Sequence, residues 1–472
     1  MSTFGGLNTA YRGLVAARAG LDVVGQNIAN VNTTGYTRQR VVTSSLGPVQ
    51  SASMLASTIR PGQGVLIEGI ERVGDVMLDA RVRSSLAVSG YWSARSSAMT
   101  DVEATLREPG ENGLSAQLQE FWSAWQEVSN RPDDPASSGM LLEQAGVLVT
   151  QIARGYQELD SLWSHLREQS SDMVREVNLA AAQIAELNGR IRSALADGSG
   201  VNEMLDERAG LAATVAELAG GVVRDLGDGT VEVLVAGNAI VSGDIVRSIR
   251  MVGATSMEDP LGYGPVRLEW ERSGLAVAAE GGRLAGALSM LAPAAAGSGG
   301  GLAESAAAYN EFATTLAQKV NDQHRLGMTS SGAAGGDFFL LSPGAPARNL
   351  SVIPTASGQI AAAAATEGPY GGGNADAISQ LSVAAGSPDS IWSAFVTRVG
   401  VITRTEERQA ALADLTSASA RDAQLANASV SLDEENVSML AFQTAYQGAA
   451  RVMTAIDQML DTLINRTGIV GR

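Results

Sequence analysis

Few residues in this chain could do chemistry. There are two histidines, His165 and His324, and no cysteine. Both histidines fall within helical patterns, and without thiolates a metal site on either would need carboxylates to complete it. Surface or interface positions account for both. The acidic pairs Asp133-Asp134 and Glu434-Glu435 sit at expected helix starts, where carboxylates favour the positive end of the dipole. Gly62-x-Gly64 and Gly227-x-Gly229 read as turns, because neither stands between a strand and a helix as a phosphate loop must. Nothing marks a nucleophile elbow. The sequence therefore assigns no catalytic residue, no cofactor and no metal, and the chain reads as a non-enzyme.

What remains is one polar run, Asn27-Ile28-Ala29-Asn30-Val31-Asn32-Thr33-Thr34-Gly35-Tyr36-Thr37-Arg38-Gln39. Asn and Gly tolerate left-handed backbone, so the run should end a helix and turn the chain. The helix before it spans about residues 4 to 30. Leu7, Leu14, Leu21 and Ile28 lie seven apart, with Ala10, Ala17, Val24 and Val31 as the neighbouring row.

The other end of the chain mirrors it. From Ser431 to Thr467, Met439, Phe442, Tyr446, Ala449, Met453, Ile456, Leu460 and Leu463 alternate steps of three and four, a heptad seam with no charged member. Ser431 followed by Glu434 is a capping box that starts this helix. Each terminal helix carries a narrow apolar stripe, which suits a coiled-coil seam. Its partner is the helix at the other end, or copies of both from neighbouring subunits.

Composition sets the frame. At 472 residues, length suggests roughly three domains. The net charge is −17 and Lys319 is the single lysine. An acidic chain without a basic cluster argues against nucleic acid and against an anionic membrane surface. The N-terminus has no charged and apolar leader pattern, so no cleavable signal peptide is expected. No run of about 18 apolar residues exists to insert in a membrane.

Between the ends, residues 50 to 75 read as loop with one or two short extended pieces. Helices follow at 76 to 107, from Leu114 through Trp125, and from Asp134-Pro135 to about Ala196, then at 202 to 219, stopped by Gly220-Gly221. Period-two patterning takes over with strands at 222–226, 231–235 and 240–241, then Ile245 to Met251 and Pro265 to Trp270. Helix returns at 286–291 and 302–326. Residues 343 to 375 read as loop with one strand at most, and Ser387-Pro388 opens a long helix to about Asn427. The fold class is mainly α: a long helical bundle or coiled coil formed by both termini, with a small antiparallel β insertion. Three regions are expected: 1–45 with 430–472, 46–221 with 276–429, and the insertion at 222–275.

The run Ala29-Asn30-x-Asn32-Thr33-x-Gly35-Tyr36 resembles the N-terminal signature of the axial proteins of the bacterial flagellum, the rod, hook and hook-associated family. Its continuation into Thr37-Arg38-Gln39 resembles the hook-associated protein 1, or FlgK, branch. So do Gly62-Gln63-Gly64-Val65, Ile70-Glu71-Arg72-Val73, Asp75, Leu78 and Arg81, the run Gly335-Gly336-Asp337-Phe338-Phe339, and the helix start Val430-x-Leu432-Asp433-Glu434-Glu435. The resemblance covers both chain ends. It implies a rod-like structural subunit in a ring at the hook–filament junction, with the β insertion pointing outward. The implied partners are copies of itself, the hook protein, the next hook-associated protein at the filament base, and a cytoplasmic export chaperone on the C-terminal seam. It further implies an extracellular place in the flagellum, reached by type III export. In that reading Asn27, Asn30, Asn32, Thr33, Gly35, Tyr36, Arg38 and Gln39 form the axial signature, and the two heptad rows form the assembly seams. The ends would be poorly ordered until assembly buries them. A rod or hook component shares the N-terminal signature, and a non-flagellar coiled-coil scaffold shares the heptads. Thr37-Arg38-Gln39 and the Leu-Asp-Glu-Glu start favour the hook-associated branch.

Overall fold

The computed structural model describes residues 3–47, 62–259, 261–342 and 344–466. The first part of the stretch expected as loop, up to residue 61, and the chain end from Thr467 lie outside the described residues. Helix α1, Thr3–Ala29, is followed by a turn in which Gly35 takes φ +83°. Strands β1, Gln39–Leu46, and β2, Gly64–Arg72, then pair antiparallel from Gln39↔Arg72 to Leu46↔Gly64, with a bulge between Val42 and Thr43. No strand is expected at β1 from the residue pattern. The strand lies against α1 as a two-stranded ribbon with polar residues on both faces, so alternation is faint.

The body is built on helices whose starts are written in their caps. Asp75 accepts hydrogen bonds from the Met77 and Leu78 amides and opens α2, Val76–Leu106. Helix α3, Leu114–Asn130, follows. Asp134 caps the Ala136 amide and Pro135 takes the first position of α4, which runs 62 residues to Ala196, about 90 Å at the usual helical rise. Helix α5, Asn202–Ala219, stops at left-handed Gly220.

The β segment forms two antiparallel sheets. One holds β3 (Val222–Asp225), β4 (Val231–Val235), β5 (Asn238–Ser242) and β6 (Ile245–Val246) in chain order. The other holds β7 (Ile249–Val252), β8 (Arg267–Trp270) and β9 (Ala276–Val277). The single strand expected at 245–251 is thus two, because the chain leaves one sheet at Val246 and enters the other at Ile249. Both sheets share a core with α4 and α5: Val233, Val235, Ile240, Val241 and Leu268 pack with Val177, Ile184 and Val215. Two asparagines of α4 fasten them. Asn188 bonds both the amide and the carbonyl of Val231, at 3.1 and 2.9 Å. Asn178 does the same for Ile249, at 2.9 and 2.8 Å.

Helices α6 (Gly282–Leu291) and α7 (Gly301–His324) return to the body. Short pieces follow: β10 (Gly327–Met328), β11 (Phe339–Leu340), α8 (Pro346–Asn349), β12 (Ser351–Val352), β13 (Ala363–Ala364) and α9 (Gly373–Ser379). More of 343–375 is ordered into regular elements than the single strand expected. Phe338 and Phe339 are fully buried beside Phe121 and Trp125. His324 is in the same cluster, a correction to its expected surface or interface place: it is 1% exposed. Its Nε2 accepts from the Ala361 amide at 2.9 Å, so Nδ1 carries the proton and donates to the Gly336 carbonyl at 2.8 Å. Burial holds its pKa below the usual histidine value. His165 is exposed.

The long helix α10, Pro388–Ala428, packs along α2, and Arg95 pins them with a two-pronged ion pair to Glu406. Helix α11, Leu432–Asp461, closes the described chain and ends in one wide turn, Thr462–Arg466. It packs chiefly on α1.

Candidate functional site: the paired chain ends and their joint

Helices α1 and α11 run antiparallel, and glycine makes their contact. A Cβ placed on Gly6 would sit 3.2 Å from Ile456 Cδ1, one on Gly13 3.8 Å from Ala449 Cβ, and one on Gly20 2.5 Å from the Phe442 ring. Seven residues further on, Asn27 meets Glu435. Each heptad step forward on α1 is matched by a heptad step backward on α11. The buried residues of α1 are Ala10, Ala17, Gly20, Val23, Val24 and Asn27, and the small ones among them let two backbones approach.

The expected seam residues divide accordingly. On α11, Phe442, Ala449 and Ile456 face the glycines, and of these Ile456 is buried. Met439, Met453 and Leu460 are half-buried, while Tyr446 and Leu463 are exposed. On α1, Leu7, Leu14, Leu21 and Ile28 are all half-buried and flank the glycine row rather than forming it. The glycine spacing was on view in the sequence, at the same interval of seven as the leucines.

The polar run is the joint between this pair and the body. Asn27 is 1% exposed and uses its whole side chain. Its Oδ1 accepts from the Gln39 amide at 3.0 Å and from the Tyr36 hydroxyl at 2.9 Å. Its Nδ2 donates to the Gln39 carbonyl at 2.9 Å and to Glu435 Oε2 at 3.1 Å. The other oxygen of Glu435, also 1% exposed, takes Arg38 Nε at 2.7 Å. Arg38 reaches Glu434 as well, at 2.7 Å, and its amide donates to the last carbonyl of α10, Ala428, at 2.9 Å. The expected capping box is therefore half made: Ser431 accepts from the Glu434 amide, while the Glu434 carboxylate turns to Arg38. Glu435 is a buried partner in a network, beyond the dipole role expected for its pair.

Helix α5 supplies the rest. Thr37 donates its amide to Asp206, which also pairs with Arg72 at 2.7 Å. Gln39 donates to Glu203 and accepts from Asn202, which also holds the Ile70 carbonyl. Four residues of the run thus touch α1, α5, α10, α11 and the ribbon at once. Burial first, then the charges of Glu203, Asp206 and Glu435, push the Tyr36 pKa up to about 12. Asn30 and Thr33 bond to each other and finish α1 with Gln26, Gly35 makes the turn, and Asn32 is exposed outside the network. Asn202, Glu203 and Asp206 were not anticipated; nothing in a helical pattern tells which polar residues face a distant loop. Among the described residues no cluster of metal-ligating side chains occurs. The arrangement can hold two chain ends at a set angle to a rigid body.

This run and these paired chain ends are the parts of the chain that resemble the flagellar axial proteins. The model of the flagellar hook-associated protein FlgK helical domain matches residues 99–339, just over half of the chain. Models of the flagella basal body rod protein and of the flagellar basal body rod FlgEFG protein C-terminal region match residues 7–37 and 424–466. Flagellar hook-associated protein 1 of Bacillus subtilis (strain 168) is 27% identical over 509 residues, covering 100% of both chains. The protein of that name from Escherichia coli (strain K12) is 26% identical over 73% of this chain and 61% of its own. The flagellar hook junction protein FlgK from Burkholderia pseudomallei shares the fold, with TM-score 0.63, 14% identity, and coverage of 73% of this chain and 99% of that one. The chain belongs to the FlgK family of flagellar hook-associated proteins, a family of structural components.

Proposed function

We propose that this chain assembles as a ring at the hook–filament junction and there allows the filament to attach. Its neighbours are copies of itself, the hook protein, and the next hook-associated protein at the filament base. The working division is a terminal pair (1–45 with 430–472), a helical body (46–221 with 276–429) and a β region (222–275). The observation that carries the reading is the unfilled side of the terminal pair. Phe4 and Tyr11 on α1, and Val437, Leu440, Val452 and Met459 on α11, are at least half exposed. Apolar residues left in rows on a pair this narrow are what neighbouring pairs would cover.

Export precedes assembly in this reading, through the flagellar type III route. A cytoplasmic chaperone covers the α11 seam meanwhile. A chain truncated at Asn436 should lose chaperone binding; undiminished binding would place the chaperone elsewhere. Electron microscopy of cells lacking the chain tests the main reading. Bare hooks with flagellin shed into the medium are expected, whereas missing hooks would move the protein to the rod or hook.

A further inference from the structure

The glycine row of α1 poses a problem of register. Gly6, Gly13 and Gly20 lie at one heptad spacing, and Ile456, Ala449 and Phe442 are the side chains that face them, Phe442 the most closely. Sliding α11 by one heptad sets Phe442 against Gly13 and Ala449 against Gly6, which the missing side chains allow. The glycine repeat therefore offers α11 a second register, one that gives up the Ile456 contact at Gly6 but meets no side-chain clash at Gly13 or Gly6. The same slide carries Glu435 from Asn27 to Gly20, which has no donor to offer.

We infer that Asn27 and Glu435, both buried, together with the half-buried Arg38 are the register lock of the terminal helix pair, and that the partner it selects is the other end of the same chain. In the observed register both carboxylate oxygens of Glu435 are taken, by Asn27 at 3.1 Å and by Arg38 at 2.7 Å. Asn27 in turn is held by Tyr36 and by both backbone groups of Gln39, so its amide cannot swing to follow a slipped helix. A slipped pair leaves the Glu435 carboxylate without these donors, a cost that sets the observed register apart from the one the glycine repeat also offers. A single polar member in an otherwise small and apolar seam is a known way to fix pairing at the expense of some stability. Arg38 ties the lock to the body, because its amide is bonded to the end of α10. A neighbour's α11 would have to displace a helix start joined to α10 through three residues, Ser429 to Ser431. This rests on the chain ends pairing as seen and is independent of where the assembled protein sits in the flagellum.

The full chain has no native cysteine, so disulfide trapping is clean. The 3.8 Å between a Gly13 Cβ and Ala449 Cβ is the spacing a disulfide prefers. Purified chain carrying Gly13→Cys with Ala449→Cys should oxidise to a monomeric, intrachain disulfide on a non-reducing gel. The slipped pair, Gly6→Cys with Ala449→Cys, should be trapped at least about tenfold less, as expected when a buried charge loses its donors. Adding Asn27→Ala and Glu435→Ala should bring the two yields to within a few fold. Far-UV circular dichroism of that variant confirms that the body remains folded, and Glu435→Gln, which keeps the size, should lie between. Equal trapping in both registers with the lock intact would overturn the inference. So would disulfide-linked dimers in place of monomers, or no in-register disulfide at all. None of these outcomes depends on motility, so a failure here is distinct from a failure of the junction reading.

Discussion

Helices α4 and α11 carry the same kind of apolar period and meet opposite fates. On α4, Leu141, Leu148, Ile152 and Leu159 are 0% exposed, because α3, α7 and the short elements around α8 close over that face. On α11, one helix supplies most of the partner surface, and Ile456 is the only apolar residue of α11 that becomes buried. Periodicity reports which face can be covered; the number of elements that arrive decides whether it is. Full burial of one such side chain is worth about 1.5–3 kcal/mol, so the body is held by its core and the terminal pair by close backbone approach and one polar joint.

The contrast is sharpest in a pair of core substitutions. Leu148→Ala should destabilise the body by about 2–5 kcal/mol in denaturant unfolding, since the site cannot drain to solvent. In the terminal pair the same logic runs through glycine. Gly20→Ala drives a Cβ into the Phe442 ring and should cost about 1–3 kcal/mol of the terminal transition. Gly13→Ala meets only ordinary contact and should be neutral or stabilising, by up to about 1 kcal/mol of helix propensity. A double-mutant cycle of Gly20→Ala with Phe442→Ala should show strong coupling. If Gly20→Ala and Gly13→Ala behave alike, the two helices are not as close as the glycine contacts place them.

Much of this architecture was legible in sequence where local chemistry decides. Asp134-Pro135 and Gly220 bound α4 and α5 because capping and left-handed backbone are properties of a few adjacent residues. The terminal helices and the signature turn were legible for the same reason. What escaped depends on distant partners. Asn178 and Asn188 look like solvated helix residues until strands are laid beside them. Leucine rows at Leu7, Leu14, Leu21 and Ile28 draw the eye to bulk, yet the closest contact is where bulk is absent, at Gly6, Gly13 and Gly20. The role of Asn27 could be suspected from its place in the run, but its four hydrogen bonds go to three residues, Tyr36, Gln39 and Glu435, the last from the other end of the chain, and could not be read in advance.

Proton linkage separates the two regions again. In the body, burial lowers the His324 pKa, so the neutral ring is the folded form and Ala361 needs its Nε2 lone pair. Its contribution is fully present above the unfolded value near 6.5 and is lost as pH falls from there through the lowered folded value. His324→Gln should flatten that acid limb in unfolding measured between about pH 7 and 5. At the joint, Tyr36 is raised from 10.0 to about 12, so the protonated phenol is the folded form and donates to Asn27. Its contribution is present below pH 10 and fades between 10 and about 12, where Tyr36→Phe should show no such limb. An alkaline loss that spares the body and exposes the chain ends to protease would show that the joint, and not the core, holds them.

The smallest expected effect is the most direct probe of the unfilled side. Leu440 on α11 is 61% exposed, and Leu440→Ala removes little contact in the single chain. Its stability should change by no more than about 0.5 kcal/mol, an order of magnitude less than Leu148→Ala at its upper range. If the free chain instead loses as much from Leu440→Ala as from Leu148→Ala, α11 is already covered in solution and the contrast between the two helices collapses. If stability is untouched but the chain no longer enters growing flagella, the row is spent on neighbours. The same side chain is then inert in the monomer and decisive in the assembly, which is the behaviour a half-covered helix pair is built to have.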